Sequence, residues 1–384
     1  MKQIGRRKYN VNIEKQLEMK MPKICIMSSV HTSNDVRIYH KEIVSLKKAG
    51  FDVVFLNKER TGRDDLGVEF IRLEISKKRL KRILTSPFKM YKLAKRQNAS
   101  AYHFHDPELL LTGLLLSLKG KKVIYDAHED VSKQILQKKY IPFLLRRIIS
   151  FLVGDFEKYC SRRFSAVIAA TPSIQEEFKK KKCKVICVNN YPLLHEFTDI
   201  IERKKERSGV CYVGGITKER GIIEMIEAAY IAGQTLKLCG NFSSELMEYD
   251  AKNMAGWKNV EFHGFVSREK IVNVIDSSLA GLVILHPVSQ YLESLPIKMF
   301  EYMAAGIPVI ASNFPLWKSI IGESKCGICV DPLEPAEIAN AIEYLKNNKE
   351  SAQIMGETGR KLIREKYNWG IEERKLIRCY HSLF

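Results

Sequence analysis

The chain has 384 residues, enough for two domains of ordinary size, and its 45% hydrophobic content is that of a globular protein. No run approaches the ~18–20 apolar residues needed to span a bilayer, and the first twenty residues, polar and mixed in charge, lack the apolar core of a signal peptide. The net charge of +19 lies wholly in the first half: residues 1–200 carry 40 Lys and Arg against 21 Asp and Glu, whereas residues 201–384 carry 23 of each. One domain is therefore expected to meet a polyanion or an anionic surface; nucleic acid, anionic lipid and a lipid-linked diphosphate all fit.

Residues 1–20 read as a disordered extension, or as the product of an upstream start codon with Met19 or Met21 the true start. The first domain is expected over residues 21–195. Lys23–Ser28 is a buried strand, residues 36–49 carry helical periodicity ended by Gly50, and Phe51–Asn57 is a second strand. Residues 77–96 form a basic helical region interrupted at Pro87. Ala101–Phe104 is a short strand, followed by the loop His105-Asp106-Pro107-Glu108 and an apolar helix over Leu109–Leu118. Another strand, Lys122–Tyr125, leads into Asp126-Ala127-His128-Glu129-Asp130. A long helical stretch covers 141–163, where Arg146 and Arg147 interrupt a bulky apolar run; with the basic residues of 77–96 it would suit an anionic membrane surface as well as a core. Ala166–Ala170 and Lys184–Val188 are the domain's last strands.

Residues 196–207, charged and weakly patterned, read as a linker. The same rhythm restarts over 208–365: the strand Val210–Val213, the loop Gly214–Gly221, a helix over Ile222–Ala232, and strands at Leu236–Cys239, Val260–Phe262 and Leu282–Leu285. Strands alternating with helices predict two α/β domains with parallel sheets, whose ligands bind at the carboxyl ends of the strands. Nine scattered cysteines, an odd count, fit a reducing cytoplasm; Cys326 and Cys329, formally C-x-x-C, lie in an apolar stretch with no second pair and read as buried thiols, as do Cys183 and Cys187.

The segment ESLPIKMFEYMAAGIPVIAS, residues 293–312, carries the most functional information. Glu293 and Glu301 flank a short helix, with Pro296 suited to its first turn and Gly306 to its end. A loop feeding a helix N-terminus after an apolar strand is a ready anion site. Eight helical residues rise about 12 Å, whereas paired glycosidase carboxylates stand roughly 5–9.5 Å apart. The two glutamates suit the two ends of a long ligand with a phosphate between them, the shape of a nucleotide-sugar.

At these residues the chain resembles the retaining GT4-type glycosyltransferases of the GT-B fold, among them bacterial surface-polysaccharide enzymes. The resemblance implies two doubly wound Rossmann-like domains facing across a cleft, with a C-terminal helix over 366–384 crossing back to the first domain. It implies that Glu293 contacts donor-sugar hydroxyls, Glu301 the ribose hydroxyls, and the backbone of Ser294, Leu295 and Pro296 the diphosphate. The loop Gly214-Gly215-Ile216-Thr217-Lys218-Glu219-Arg220-Gly221 resembles the family's phosphate loop, with Gly215 in place of the usual arginine and Arg220 in place of the usual lysine. Lys298 is the candidate for the missing cation. His128 matches the family histidine beside the reaction centre, where an imidazole or its carbonyl can orient or stabilise charge. The family's Gly-Gly is missing from Ser28–Arg37, so His31, Asp35 and Arg37 are acceptor-side candidates instead, with His105 and Asp106 at the same edge. Asp126, Glu129 and Asp130 cluster near His128, but the fold needs no metal and none is expected, nor any other cofactor.

The reading that follows is a cytoplasmic transferase moving a sugar, UDP-linked in preference, to a lipid-linked or oligosaccharide acceptor in polysaccharide assembly, with peripheral contact to an anionic membrane. A sugar-nucleotide epimerase on the same fold would leave the charge asymmetry unexplained. A basic nucleic-acid-binding protein is the rival of another class, but no zinc-finger or RNP-type aromatic motif is present and no nucleic acid is expected. A catalytically silent scaffold sits poorly with intact Glu293, Glu301 and His128.

Overall fold

The structure, a computed structural model, describes residues 21–76, 78–129, 131–137, 141–198 and 206–384. Residues 1–20, Lys77, Asp130 and most of the expected linker lie outside the described residues. The chain forms two compact units, passing from the first to the second between Val188 and Asn189 and returning between Glu372 and Glu373.

Unit 1 is built on an eight-stranded sheet: β1 (Lys23–Met27), β2 (Asp52–Asn57), β3 (Gly62–Arg63), β4 (Glu69–Arg72), β5 (Ala101–Phe104), β6 (Lys122–Ala127), β7 (Ala166–Ala169) and β8 (Val185–Cys187). Their order is β3-β4-β2-β1-β5-β6-β7-β8, and every pair is parallel except β3 with β4. The strands are short apolar runs because helices cover both faces of a parallel sheet. The chain builds outward from β1 in both directions, so the switch point lies between β1 and β5, and the loops that open there are 28–35 and 105–108.

The helices of unit 1 are α1 (Val36–Ile43, widely wound, continued by Val44–Lys48), α2 (Arg79–Gln97), α3 (Leu110–Ser117), α4 (Val131–Gln137), α5 (Phe143–Ser161) and α6 (Pro172–Lys180). The break expected at Pro87 does not occur. Proline sits inside a continuous α2, where burial of Met90 and Ala94 against the core and a 2.8 Å hydrogen bond donated by Thr112 Oγ1 to the Pro87 carbonyl hold the turn in place. The single stretch expected over 141–163 is the longer arm of a hairpin with α4, tied by Ser150 Oγ donating to the Ser132 carbonyl at 2.8 Å.

Unit 2 has six parallel strands: β9 (Val210–Val213), β10 (Leu236–Cys239), β11 (Val260–Gly264), β12 (Ala280–Val283), β13 (Val309–Ser312) and β14 (Gly327–Val330), ordered β11-β10-β9-β12-β13-β14. The switch point is between β9 and β12, and the two loops that open there are the glycine loop after β9 and the motif loop after β12. The helices are α7 (Ile222–Ile231), α8 (Glu245–Lys252), α9 (Arg268–Asp276), α10 (Ile297–Ala305), α11 (Pro335–Asn347) and α12 (Lys349–Glu365). The boundary placed at 196–207 falls earlier, after Val188, because Tyr191 and Phe197 are buried in the core of unit 2.

The last helix, α13 (Trp369–His381), belongs to unit 1 from Glu373 onward. Tyr380 is fully buried there, its ring 5.7 Å from that of Phe51, so the chain's end completes the core begun by its first strands.

Candidate active site

In unit 1 the candidate residues gather where β1, β5 and β6 end. Asp106 terminates the loop after β5, and its Oδ2 accepts from Ser28 Oγ (2.9 Å), Ser29 N (2.5 Å) and Val30 N (3.2 Å). That carboxylate shapes the loop after β1 from beneath. At its rim His31 pairs Nδ1 with Asp35 Oδ2 at 3.3 Å, and this hydrogen bond raises the His31 pKa against the effect of its burial.

Deeper lies an enclosed polar cluster. Arg37 Nη2 meets both oxygens of Asp126 at 3.1 and 2.9 Å, Nη1 donates to the Val188 carbonyl at 3.0 Å, and Nε stands 3.0 Å from Glu42 Oε1. Around them are His105 Nε2, 3.5 Å from Glu42 Oε2, and His103, whose Nδ1 is 2.8 Å from the Tyr380 hydroxyl. His128 closes the group: its Nε2 lies 3.2 Å from His105 Nδ1 and 3.5 Å from Asp126 Oδ1.

Burial sets the charges. It pushes Glu42 well above the usual carboxylate range, with Asp126 adding to the effect. Burial acts to raise Asp126 too, but Arg37 and the neighbouring histidines outweigh it and hold Asp126 ionised. Burial pushes His103 and His128 down to about 4, and His105 well below its ordinary value. Arg37 against Asp126 is thus a buried ion pair whose partners satisfy each other, the arrangement that burial tolerates. Glu42, His103, His105 and Asp126 place donor atoms within 4.8 Å of one another, a spacing that would also suit an ion, but Arg37 already stands in the cation's place. Asp130 of the acidic trio lies outside the described residues.

Several expectations are corrected here. Arg37, His105 and Asp106 are buried and face the interior, so they support the site rather than present themselves to an acceptor. His128, uncharged at neutral pH, can orient a partner but does not bring a full positive charge. Glu42, His103 and Tyr380 were not anticipated. The alternation His103-Phe104-His105 on a strand, which puts both rings on one face, was the available signal.

In unit 2 the glycine loop after β9 is closely held by its neighbours. Gly214 has φ +137°, and Gly240, φ +142°, approaches so closely that a Cβ there would stand 1.9 Å from the Gly214 carbonyl. This contact forces the glycine loop into position. Two cations flank it: Arg220 Nη1 donates to the Gly215 carbonyl at 3.3 Å, and Lys298 Nζ would stand 2.9 Å from a Cβ on Gly214. Lys298 is only 8% exposed, and its ammonium lies 3.7 Å from the centre of the Tyr212 ring. Among the described residues Nζ has no hydrogen-bond acceptor. Burial pushes Lys298 well below its ordinary value, and Arg220 pushes the same way. Two basic side chains, one with an unpartnered nitrogen, thus face the same glycine loop.

The motif helix is shorter than expected. Glu293 and Ser294 precede it, Pro296 caps it, and Glu301 sits in its middle rather than at its end. Trp317 Nε1 donates to the Ser294 carbonyl at 2.8 Å and pins the loop. In the first turn of α10 Met299 N donates to the Pro296 carbonyl at 3.0 Å, and the N–H groups of Ile297 and Lys298 lie ahead of any intrahelical acceptor. Glu301 is buried and bound by Arg268 at 2.6 Å, and Glu196 holds the same guanidinium at 2.7 Å. Sequence reasoning missed Arg268, which stands at the N-terminus of α9 with only a Ser267 cap to mark it.

Residues 195–362 match the sequence model of the glycosyl transferases group 1, and residues 40–190 match that of glycosyltransferase family 4. The chain belongs to this glycosyltransferase family. Of its curated relatives, an alpha-D-kanosaminyltransferase from Streptomyces kanamyceticus is 26% identical over 62% of this chain and 66% of the relative. D-rhamnosyltransferase WbpZ of Pseudomonas aeruginosa is 25% identical over 71% of this chain and 70% of its own length. The matches thus span about two thirds of these relatives. Among solved structures, Anabaena HepE in complex with UDP and glucose superposes with a TM-score of 0.71 at 14% identity, covering 94% of this chain and 100% of that one. The glycosyltransferase therefore has the GT-B fold, two parallel-sheet α/β domains, as its motifs led us to expect.

Proposed function

We propose that this glycosyltransferase moves a sugar, with retention, from a UDP-sugar held by unit 2 to a hydroxyl of a lipid-linked saccharide bound by unit 1, in polysaccharide assembly on the cytoplasmic face of a membrane. The observation that carries the donor half is the pair Arg220 and Lys298 flanking Gly214–Gly215, with the N-terminus of α10 beside the motif loop. A diphosphate would satisfy the unpartnered Lys298 ammonium and relieve its repulsion with Arg220. These cations supply the charge that a divalent ion supplies in other transferases, so transfer is proposed to need no metal. The UDP preference draws on the UDP bound to HepE and the saccharide context on the rhamnosyltransferase relative.

In the proposed step the bond from the sugar's anomeric carbon to the diphosphate oxygen breaks, and its electron pair leaves with the nucleoside diphosphate. The acceptor oxygen bonds the same carbon from the same face, and its proton passes to the departing phosphate oxygen. Arg220, Lys298 and the α10 N-terminus stabilise the charge that grows on that phosphate. Glu293 holds sugar hydroxyls, and Glu301, steadied by Arg268, holds the ribose. Neutral His128 orients the reacting groups, and His31 and Asp35 line the acceptor side.

The test is nucleotide release and thermal shift across UDP-, GDP- and ADP-sugars, with Glu293→Ala alongside. Slow release of one nucleotide, lost in the variant, is expected; no shift and no turnover with any donor would overturn the reading.

A further inference from the structure

Helix α5 wears its amphipathicity inside out. The residues it buries are chiefly polar: Ser150, Glu157 and Ser161, with Cys160. Glu157 is held inside by Lys181 at 2.6 Å and by the Tyr125 hydroxyl at 3.2 Å. Its outward stripe is apolar but for Asp155. Leu144 is 74% exposed and Phe151 71%, and Ile148, Leu152, Phe156 and Tyr159 continue the same face at helical spacing. A helix that buries its polar residues and turns its large apolar residues outward needs a partner that the described residues do not supply.

The charge beside this face identifies the partner. Arg147 stands beside the stripe's first turn, its guanidinium carbon 5.4 Å from the Phe143 ring, whereas Arg146 turns inward and donates from Nη1 to the Leu136 carbonyl at 3.0 Å. Helix α2 carries seven Lys and Arg and no Asp or Glu, and its first half also exposes Ile83, Leu84 and Phe88. Helices α2 and α5 both pack against α3, on the same face of the sheet. A second copy of the chain would bring these cations against themselves, whereas an anionic bilayer takes apolar side chains below its headgroups and cations among them.

Position supports the same partner. Ser132 follows β6 closely and contacts Ser150, so the half of α5 before Ser150 lies at or beyond the carboxyl edge of the sheet, where His128 and the His31 loop also lie. The apolar face and the acceptor-side residues thus share one edge of unit 1.

We propose that the outward face of α5, with the first half of α2, is a docking surface for a bilayer with anionic headgroups. It deepens the lipid-linked acceptor reading, on which it rests, by naming the surface that brings unit 1 to its acceptor. Leu144 and Phe151 enter the headgroup boundary, and Arg147 and Lys81 meet the lipid phosphates.

Co-sedimentation of the full chain with phosphatidylcholine vesicles, with and without phosphatidylglycerol, tests this. Binding is expected only with phosphatidylglycerol and should weaken as salt rises. The pairs Leu144→Glu/Phe151→Glu and Lys81→Glu/Arg147→Glu should each reduce partition about tenfold or more. Because the affected side chains are exposed, both pairs should keep the wild-type thermal midpoint and its shift with donor. Equal binding to neutral vesicles would overturn the proposal, as would unchanged partition in both variants. So would a dimer in light scattering that Leu144→Glu/Phe151→Glu dissolves in the absence of any vesicle binding. Vesicle binding without turnover of any donor would instead sink the transferase reading and leave the surface standing.

Discussion

Lys298→Met separates a residue kept for ligand binding from one kept for the fold, because the two roles predict opposite signs. In the unliganded protein the ammonium is buried without an acceptor, and an unsatisfied buried donor costs about 1–3 kcal/mol. Its contact with the Tyr212 ring returns about 1–2 kcal/mol. Methionine keeps the stem and removes the charge. The free variant should be as stable as the wild type or more so, with each kcal/mol gained raising the midpoint by about 2–4 °C. Donor binding should move the other way. A hydrogen bond from a charged amine to phosphate contributes about 1.5–3 kcal/mol, so affinity should fall roughly 10- to 150-fold. Calorimetric titration with nucleoside diphosphate reads the affinity, and thermal unfolding reads the midpoint. Unchanged donor affinity in the variant, or a midpoint several degrees lower, would refute the reasoning.

Further outcomes follow from the same geometry. Arg268→Ala leaves the buried Glu301 carboxylate without its 2.6 Å partner and should cost on the order of 3 kcal/mol in urea unfolding, with Arg268→Ala/Glu301→Gln recovering much of it. Gly240→Ala puts a methyl group into the Gly214 carbonyl at a positive φ and should weaken nucleoside diphosphate binding even in protein that remains folded, read by titration. His103 and His128 should make stability fall as pH drops from about 6.5 to about 4. The unfolded chain takes up histidine protons near 6.5, whereas folded His103 and His128 refuse them until about 4. His103 alone is worth on the order of 3 kcal/mol across that window, and urea midpoints against pH should be flatter in His103→Gln. Glu42→Gln, which keeps the shape and removes the charge that burial disfavours, should cost less stability than Glu42→Ala, which opens a gap beside Arg37.

Local features were legible because local chemistry sets them. The apolar runs at Lys23–Ser28, Val210–Val213 and Val309–Ile310 are strands, since a sheet buried on both faces admits little else. The phosphate loop and the motif helix could be read from glycines and from Pro296 at a helix start, and from their place after strands. Pro87 misled because packing against α3, invisible in the local pattern, outweighs one lost helical hydrogen bond. Arg37 misled because its partner Asp126 lies 89 residues away and only the sheet order brings β6 beside α1.

By itself the sequence determined the class of the protein: two α/β domains, an excess of positive charge in the first, and a donor motif in the second. Burial and long-range partners were left to the tertiary structure. A lysine on a motif helix reads alike whether solvated or enclosed, and only folding puts Lys298 beside Gly214, buried and without an acceptor among the described residues. Likewise the run FLLRRIISFLV suits a core and a membrane surface alike, because periodicity records that a helix has two faces but not which of them the sheet covers. In α5 the polar face is the one covered, satisfied there by Lys181, Tyr125 and Ser132, and the apolar face is left to the outside.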